Sequence, residues 1–161
     1  MPIYGLSFTD EQLFNLINIA LPGWVLLAVA PRWRLTQLIS AVAAVLVSGL
    51  YTALLLTFMI APNSVEKLDF SDMMTYEGVV RTLSKRTAVL PCWVHYVAFD
   101  LWVGRWMAAD SLKRRVPQLL LIPCLFATLF AGPAGLLLYH LVRLPFAGPM
   151  KARSSTKSKS A

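Results

Sequence analysis

The stretch LTQLISAVAAVLVSGLYTALLLTFMI, Leu35 to Ile60, runs 26 residues without a charge. As a helix it would be about 39 Å long at 1.5 Å per residue, more than the ~30 Å hydrocarbon core of a bilayer. Leu16 to Ala30 and Val116 to Leu141 are also nearly free of charge. Over all 161 residues the chain is 57% hydrophobic and 14% charged, where a soluble domain carries about a quarter charged. The expected fold class is all-α: a polytopic, integral membrane protein built as a bundle of four transmembrane helices. There is no room for a separate soluble catalytic domain.

The helices are expected at about 10–30, 35–60, 87–110 and 117–141, within one domain over 1–146. Thr9 is placed to cap the first helix, with Asp10 and Glu11 in its first turn, where the helix dipole favours acids. Pro22 should kink that helix and Pro31 should close it. Ser40, Ser48, Gly49 and Ala53 give the second helix a small-residue stripe suited to close packing. Between helices two and three, Phe70, Met73, Met74, Val80 and Leu83 are spaced to make one apolar face, as in an interfacial segment; a polar loop with one helical turn fits equally. Gly132-Pro133-Ala134-Gly135 must bend or break the fourth helix. The tail, 147–161, is rich in Ser and Lys and expected to be disordered.

Net charge is +7, yet the basic residues sit in short clusters beside apolar runs: Arg32 and Arg34, Lys113 to Arg115, and Lys151 to Lys159. Such clusters anchor headgroups and set topology. Nothing resembles a nucleic-acid-binding module. With four crossings, the mixed central loop and the basic tail would share one face and oppose the two short basic turns, which leaves orientation open. Cys92 and Cys124 would lie toward opposite faces, too far apart for a disulfide, and both read as buried apolar fillers. The first apolar run lacks a basic segment before it and reads as a retained helix.

HYVAFDLWVGRW, His95 to Trp106, places a histidine, an aspartate and an arginine inside the third helix. Ionisable groups at such depth are expensive and mark a protein interior or a wet cavity. At about 100° per residue His95, Asp100 and Arg105 diverge around the helix, so the three cannot converge on one point. In an antiparallel four-helix arrangement Asn15 and Asn18, one helical face, would approach the level of His95 and His140. The result would be a polar cavity opening toward the central-loop side. Each residue also has a plainer role. Arg105 can snorkel to the interface, His95 can bridge helices, and His140 can sit among headgroups. Trp102 and Trp106, on the His95 face, can be lipid contact or the aromatic wall of a site for a long apolar ligand. Asp100 is the hardest to dismiss, since a carboxyl at that depth must be neutral, paired or solvated.

No cofactor or nucleotide motif is present, so no cofactor is expected. His95 and His140 could in principle join Asp69, Asp72 and Glu77 at a metal, but nothing in their spacing argues for one, and no metal is expected.

LPGWVLLAVAP (Leu21 to Pro31), WVHYVAFDLWVGRWMAADS (Trp93 to Ser111) and GPAGLLLY (Gly132 to Tyr139) resemble segments of the neoxanthin-synthase-type membrane proteins, the abscisic-acid-deficient 4-like family. The His-x-x-x-x-Asp-Leu-x-x-Gly-Arg pattern of His95, Asp100, Leu101, Gly104 and Arg105 is the most specific part. The resemblance implies four membrane helices and a part in carotenoid metabolism, where plant members are linked to isomerising the epoxide violaxanthin to allenic neoxanthin. No chloroplast transit segment is expected before the first helix. The partner expected is a carotenoid or other lipophilic isoprenoid, in contact with membrane lipid. A partner protein is left open.

On that reading Asp100 is the proton-transfer carboxyl, because a carboxyl out of water favours its protonated form. His95 is the complementary base, and Tyr96 or Arg105 steadies developing oxygen charge. Asn15, Asn18, Trp102, Trp106 and His140 are the substrate-binding candidates. The rival is a non-enzymatic membrane scaffold or carotenoid- or lipid-binding protein. A proton-coupled carrier using Asp100 fits less well, since no inverted repeat is visible.

Overall fold

In the computed structural model, residues 7–60 and 70–146 are described. All regular structure among them is helical. The first helical run comprises α1 (Asp10–Leu16), a 3₁₀ turn (Ile17–Ile19) and α2 (Ala20–Val29). Thr9 and Gln12 form a reciprocal capping box at its start, satisfying two backbone donors that a helix end would leave open. The tightening at Ile17–Ile19 has its cause in Pro22. Proline lacks an N–H and its ring crowds the carbonyl four residues back, here Asn18.

α3 (Arg34–Ile60) returns antiparallel after a tight turn. The turn is stitched by Thr36, whose hydroxyl donates to the Ala30 carbonyl at 2.6 Å. The side-chain amide of Gln118 donates to the Ala28 and Val29 carbonyls at 2.7 and 2.9 Å, covering acceptors that the end of α2 leaves unpaired. A 3₁₀ turn (Phe70–Met74) and α4 (Tyr76–Leu83) follow. This segment is therefore helical, with Met73, Met74, Val80 and Leu83 facing outward while Gly78 and Thr82 are buried.

α5 (Arg86–Arg114) is the central element. It packs on α2, α3, α4, α6 and α7, through a stripe at three- and four-residue spacing that includes Val94, Ala98, Leu101, Gly104, Met107 and Ala108. Such a stripe is one face of a helix. Against it lie Leu13, Ile17, Trp24 and Leu27 of the first run and Ala43, Ala44, Val47 and Leu54 of α3.

The fourth expected helix is not one rod. It is two: α6 (Gln118–Ala131) and α7 (Pro133–Val142). Gly132 between them has φ +33° and ψ −94°, a conformation open to glycine, and Pro133 starts α7, where its missing N–H costs nothing. The two helices pack against each other as a hairpin. A Cβ on Gly135 would collide with the backbone of Thr128, so the crossing exists because that side chain is absent. α6 ascends beside α5 for about 21 Å and α7 descends for about 15 Å, at 1.5 Å per residue. The pairings that fix this course are Thr128 with Met107, Gly132 with Asp100, and Tyr139 with Asp110. The expectation of four antiparallel crossings thus gives way to three long helical runs and one hairpin of half their height.

Two helical runs, Asp10–Val29 and Arg34–Thr57, are long and apolar enough to cross a membrane. α5 is longer but carries charges. The outer faces are largely apolar: Val29, Leu38, Val45, Leu119, Phe126, Phe130 and Leu137 all stand more than half exposed. Apolar surface this continuous is unusual for a soluble monomer and marks contact with lipid or protein. Cys92 and Cys124 are both free; Cys124 is buried, whereas Cys92 is half-buried instead of fully enclosed. The tail expected at 147–161 lies outside the described residues.

Candidate functional site: the groove above the hairpin tip

Because the hairpin reaches only to the level of Asp100, the space above its tip is left unfilled. A groove of about 530 Å³ lies there. One wall is the first helical run (Phe14, Ile17, Asn18, Leu21, Trp24), the other is α5 (Trp93, Tyr96, Val97, Asp100), and the floor is Leu129 to Pro133. The lining is mainly aromatic and aliphatic, with a few polar groups, the usual make-up of a small-molecule site.

Asp100 is the one ionisable carboxyl in that lining. Among the described residues no side chain or backbone donor pairs with it. Its Oδ1 lies 2.7 Å from where a Cβ on Gly132 would be, so the bare glycine makes room for the carboxylate. α7 begins one residue later, which sets the partly positive end of that helix beside the acid. Asn18 and Tyr96 supply the other polar groups. Trp24 is nearly buried, with its Cζ3 packed 2.6 Å from the position of a Gly104 Cβ. That contact holds the indole against α5, where it lines the groove.

The remaining expected site residues divide into two other places. His95 faces α3: its ring meets Tyr51 edge-on at 5.1 Å and Phe99 at 4.7 Å. Arg105 also reaches α3, where Nε donates to Ser40 Oγ at 3.1 Å and Nη2 to the Gln37 carbonyl at 3.2 Å. Its guanidinium lies 4.8 Å from the Trp102 ring, and the Trp102 indole N–H donates to Ser48 at 3.2 Å. This trio ties α5 to α3 and stands outside the groove.

Trp106 and His140 form the third place, near the far end of α5. Their rings stack at 5.5 Å. Beside them Asp110 accepts from Tyr139 at 3.0 Å, from Arg143 at 3.1 Å and from Arg114 at 3.1 Å. Four antiparallel crossings would put His140 on the same side as His95, nearer the surface. The folding back of α7 carries it to the opposite end instead. Asn15 is exposed and does not line the groove.

Three elements of the site escaped sequence reasoning: Trp24, Gly132 and the Asp110–Tyr139–Arg143 clamp. The Gly-Pro pair at 132–133 was the visible signal for the second. Nothing in the sequence pointed to the third, whose members are 29 and 33 residues apart.

The family model described as ABA4-like, ABA DEFICIENT 4-like, matches residues 12–139. The chain belongs to the ABA4-like family. Membership sets it among proteins of carotenoid and xanthophyll-related metabolism. The matched region of this ABA4-like chain begins in α1 and ends at Tyr139, and so takes in the groove lining, the hairpin turn and the Asp110–Tyr139 pair, while Arg143 lies beyond it. No curated protein and no solved structure matches the chain.

Proposed function

We propose that this ABA4-like chain is a multi-pass membrane protein that takes a carotenoid or related isoprenoid into the groove above the hairpin tip and isomerises it. The observation that carries the reading is the Asp100 carboxyl, without a partner among the described residues, on the wall of a mainly apolar groove. A long apolar chain would lie along Phe14, Leu21, Trp93 and Phe130, and its oxygenated end would reach Asp100, Asn18 and Tyr96.

For an epoxide opening to an allene, a proton leaves a polyene carbon, the electron pair moves into the cumulated double bond, the epoxide C–O bond breaks and the oxygen takes a proton. Mass is unchanged and no electrons are exchanged with an acceptor. In this reading Asp100 takes the first proton and returns it to the oxygen. The Tyr96 phenol or the Asn18 amide would hold the developing alkoxide charge. His95 and Arg105, considered earlier for base and oxyanion roles, face α3 in this arrangement and act there as packing and tethering groups.

A second reading rests on the same groove: with a single carboxyl among its described lining residues, it suits a binding protein that holds an isoprenoid without converting it. Pigment analysis separates the two. The chain and its Asp100→Asn variant are expressed in cells that make epoxy-carotenoids, and extracts are resolved by chromatography and mass spectrometry. A new isomer of unchanged mass, lost in the variant, supports conversion. Pigment that co-purifies unchanged with both proteins supports holding, and the absence of either defeats the carotenoid reading.

A further inference from the structure

The hairpin alters how charge is shared between the two ends of the bundle. Antiparallel pairing puts the α2–α3 turn, the α5–α6 turn and the end of α7 together. Arg32 lies 3.4 Å from Gln118, and Arg143 reaches Asp110 at 3.1 Å. That end gathers Arg32, Arg34, Lys113, Arg114, Arg115 and Arg143 against the single acid Asp110. α7 delivers the chain to the same end, and the sequence that follows adds Lys151, Arg153, Lys157 and Lys159 without an acid. The other end holds Asp10, Glu11, Asp72 and Glu77 against Arg81, Lys85 and Arg86, and the sequence between α3 and Phe70 adds Glu66, Lys67 and Asp69.

A fourth full crossing would have placed Arg143 and the residues after it with the acids and nearly cancelled this asymmetry. Three crossings and a half-height hairpin leave it one-sided. Basic residues in short loops near membrane-spanning helices remain on the cytoplasmic side, where anionic headgroups attract them.

The geometry assigns the orientation: the hairpin end meets the anionic headgroups of the cytoplasmic-side leaflet, and the Asp100 groove opens within the opposite leaflet. A lipophilic ligand therefore enters from that far leaflet, above the hairpin tip. This rests on the membrane reading proposed above but not on any reaction at Asp100.

The test uses the full chain in the inner membrane of a bacterial host. Alkaline extraction of the membranes comes first; a chain released by it would defeat the membrane reading and this assignment together. For a retained chain, Ser84→Cys and Lys113→Cys are treated with a membrane-impermeant maleimide in spheroplasts, with the unsubstituted chain measuring background from Cys92 and Cys124. Labelling of Ser84→Cys should exceed that of Lys113→Cys by about tenfold, as one dominant orientation requires. Fusions after Ala161 check the unsubstituted helices: a fluorescent protein should be bright there and alkaline phosphatase inactive. Reversed labelling, or an active phosphatase fusion, overturns the orientation while leaving the groove and its proposed chemistry untouched.

Discussion

Tyr139 donates its hydroxyl to Asp110 at 3.0 Å across 29 residues of sequence. That bond exists only because α7 turns back along α5. Tyr139 is fully buried, and Asp110 is enclosed by the tyrosine and two arginines, so the clamp combines a hydroxyl donor with charge-assisted bonds. Its effect is felt at the other end of α7. With the foot of the hairpin fixed, its tip is held beside Asp100.

Removing the acceptor should loosen the hairpin. Asp110→Ala would strand Arg143 and Arg114 and leave the buried Tyr139 hydroxyl without a partner. The expected loss is about 2–3 kcal/mol, against about 1 kcal/mol for Tyr139→Phe. Thermal unfolding in detergent measures both. Equal, negligible losses would mean that the hairpin holds by packing alone.

Gly132 should tolerate no side chain. Alanine there meets two penalties: a backbone at φ +33° and a Cβ placed 2.7 Å from Asp100 Oδ1. Gly132→Ala should cost about 1–3 kcal/mol. In an Asp100→Ala background the steric part vanishes and the backbone part remains, so a smaller penalty is expected. The same penalty in both backgrounds would show that the carboxyl does not rest on the glycine.

Trp24 and Gly104 should be coupled. Trp24→Ala removes a buried aromatic and is expected to cost about 3–5 kcal/mol. Gly104→Ala drives a methyl into the indole, at about 1–3 kcal/mol. Once Trp24 is alanine the second change should become neutral or stabilising, since alanine is the better helix former. Additive losses would argue against the observed contact.

His95 and Asp100 should behave differently. His95→Phe keeps an aromatic ring between Tyr51 and Phe99, so isoprenoid conversion and melting temperature should both stay close to those of the unchanged chain. Asp100→Asn should abolish conversion with melting temperature unchanged or raised, as when an unpaired functional group is relieved. Loss of conversion in His95→Phe with retained folding would move the histidine back into the chemistry.

Much of the fold was legible in sequence. The capping signals at Thr9 to Glu11, the uncharged run from Leu35 and the prolines at 22 and 31 fixed where helices start, tighten and stop, because those are local matters of hydrogen-bond supply and apolar length. The separation of Asp100 from His95 and Arg105 around α5 was also readable, since it follows from 100° per residue alone; the structure sends Asp100 to the groove and both His95 and Arg105 to α3.

The course of the chain after Ala131 was not readable. Gly132-Pro133 announces a break, but a kink that continues upward and a turn that reverses use the same residues. Reversal was decided by contacts between distant positions: the space left at Gly135 for Thr128, and the Asp110 carboxylate waiting for Tyr139 and Arg143. By itself the sequence determined that this chain is helical, that its surface is apolar, and that Asp100 needs an explanation. Only the tertiary structure decided that a half-height hairpin ends beside Asp100 and leaves a groove above it. Helix periodicity is set by neighbours three and four residues away, whereas a cavity is set by which helices fail to fill the space between others.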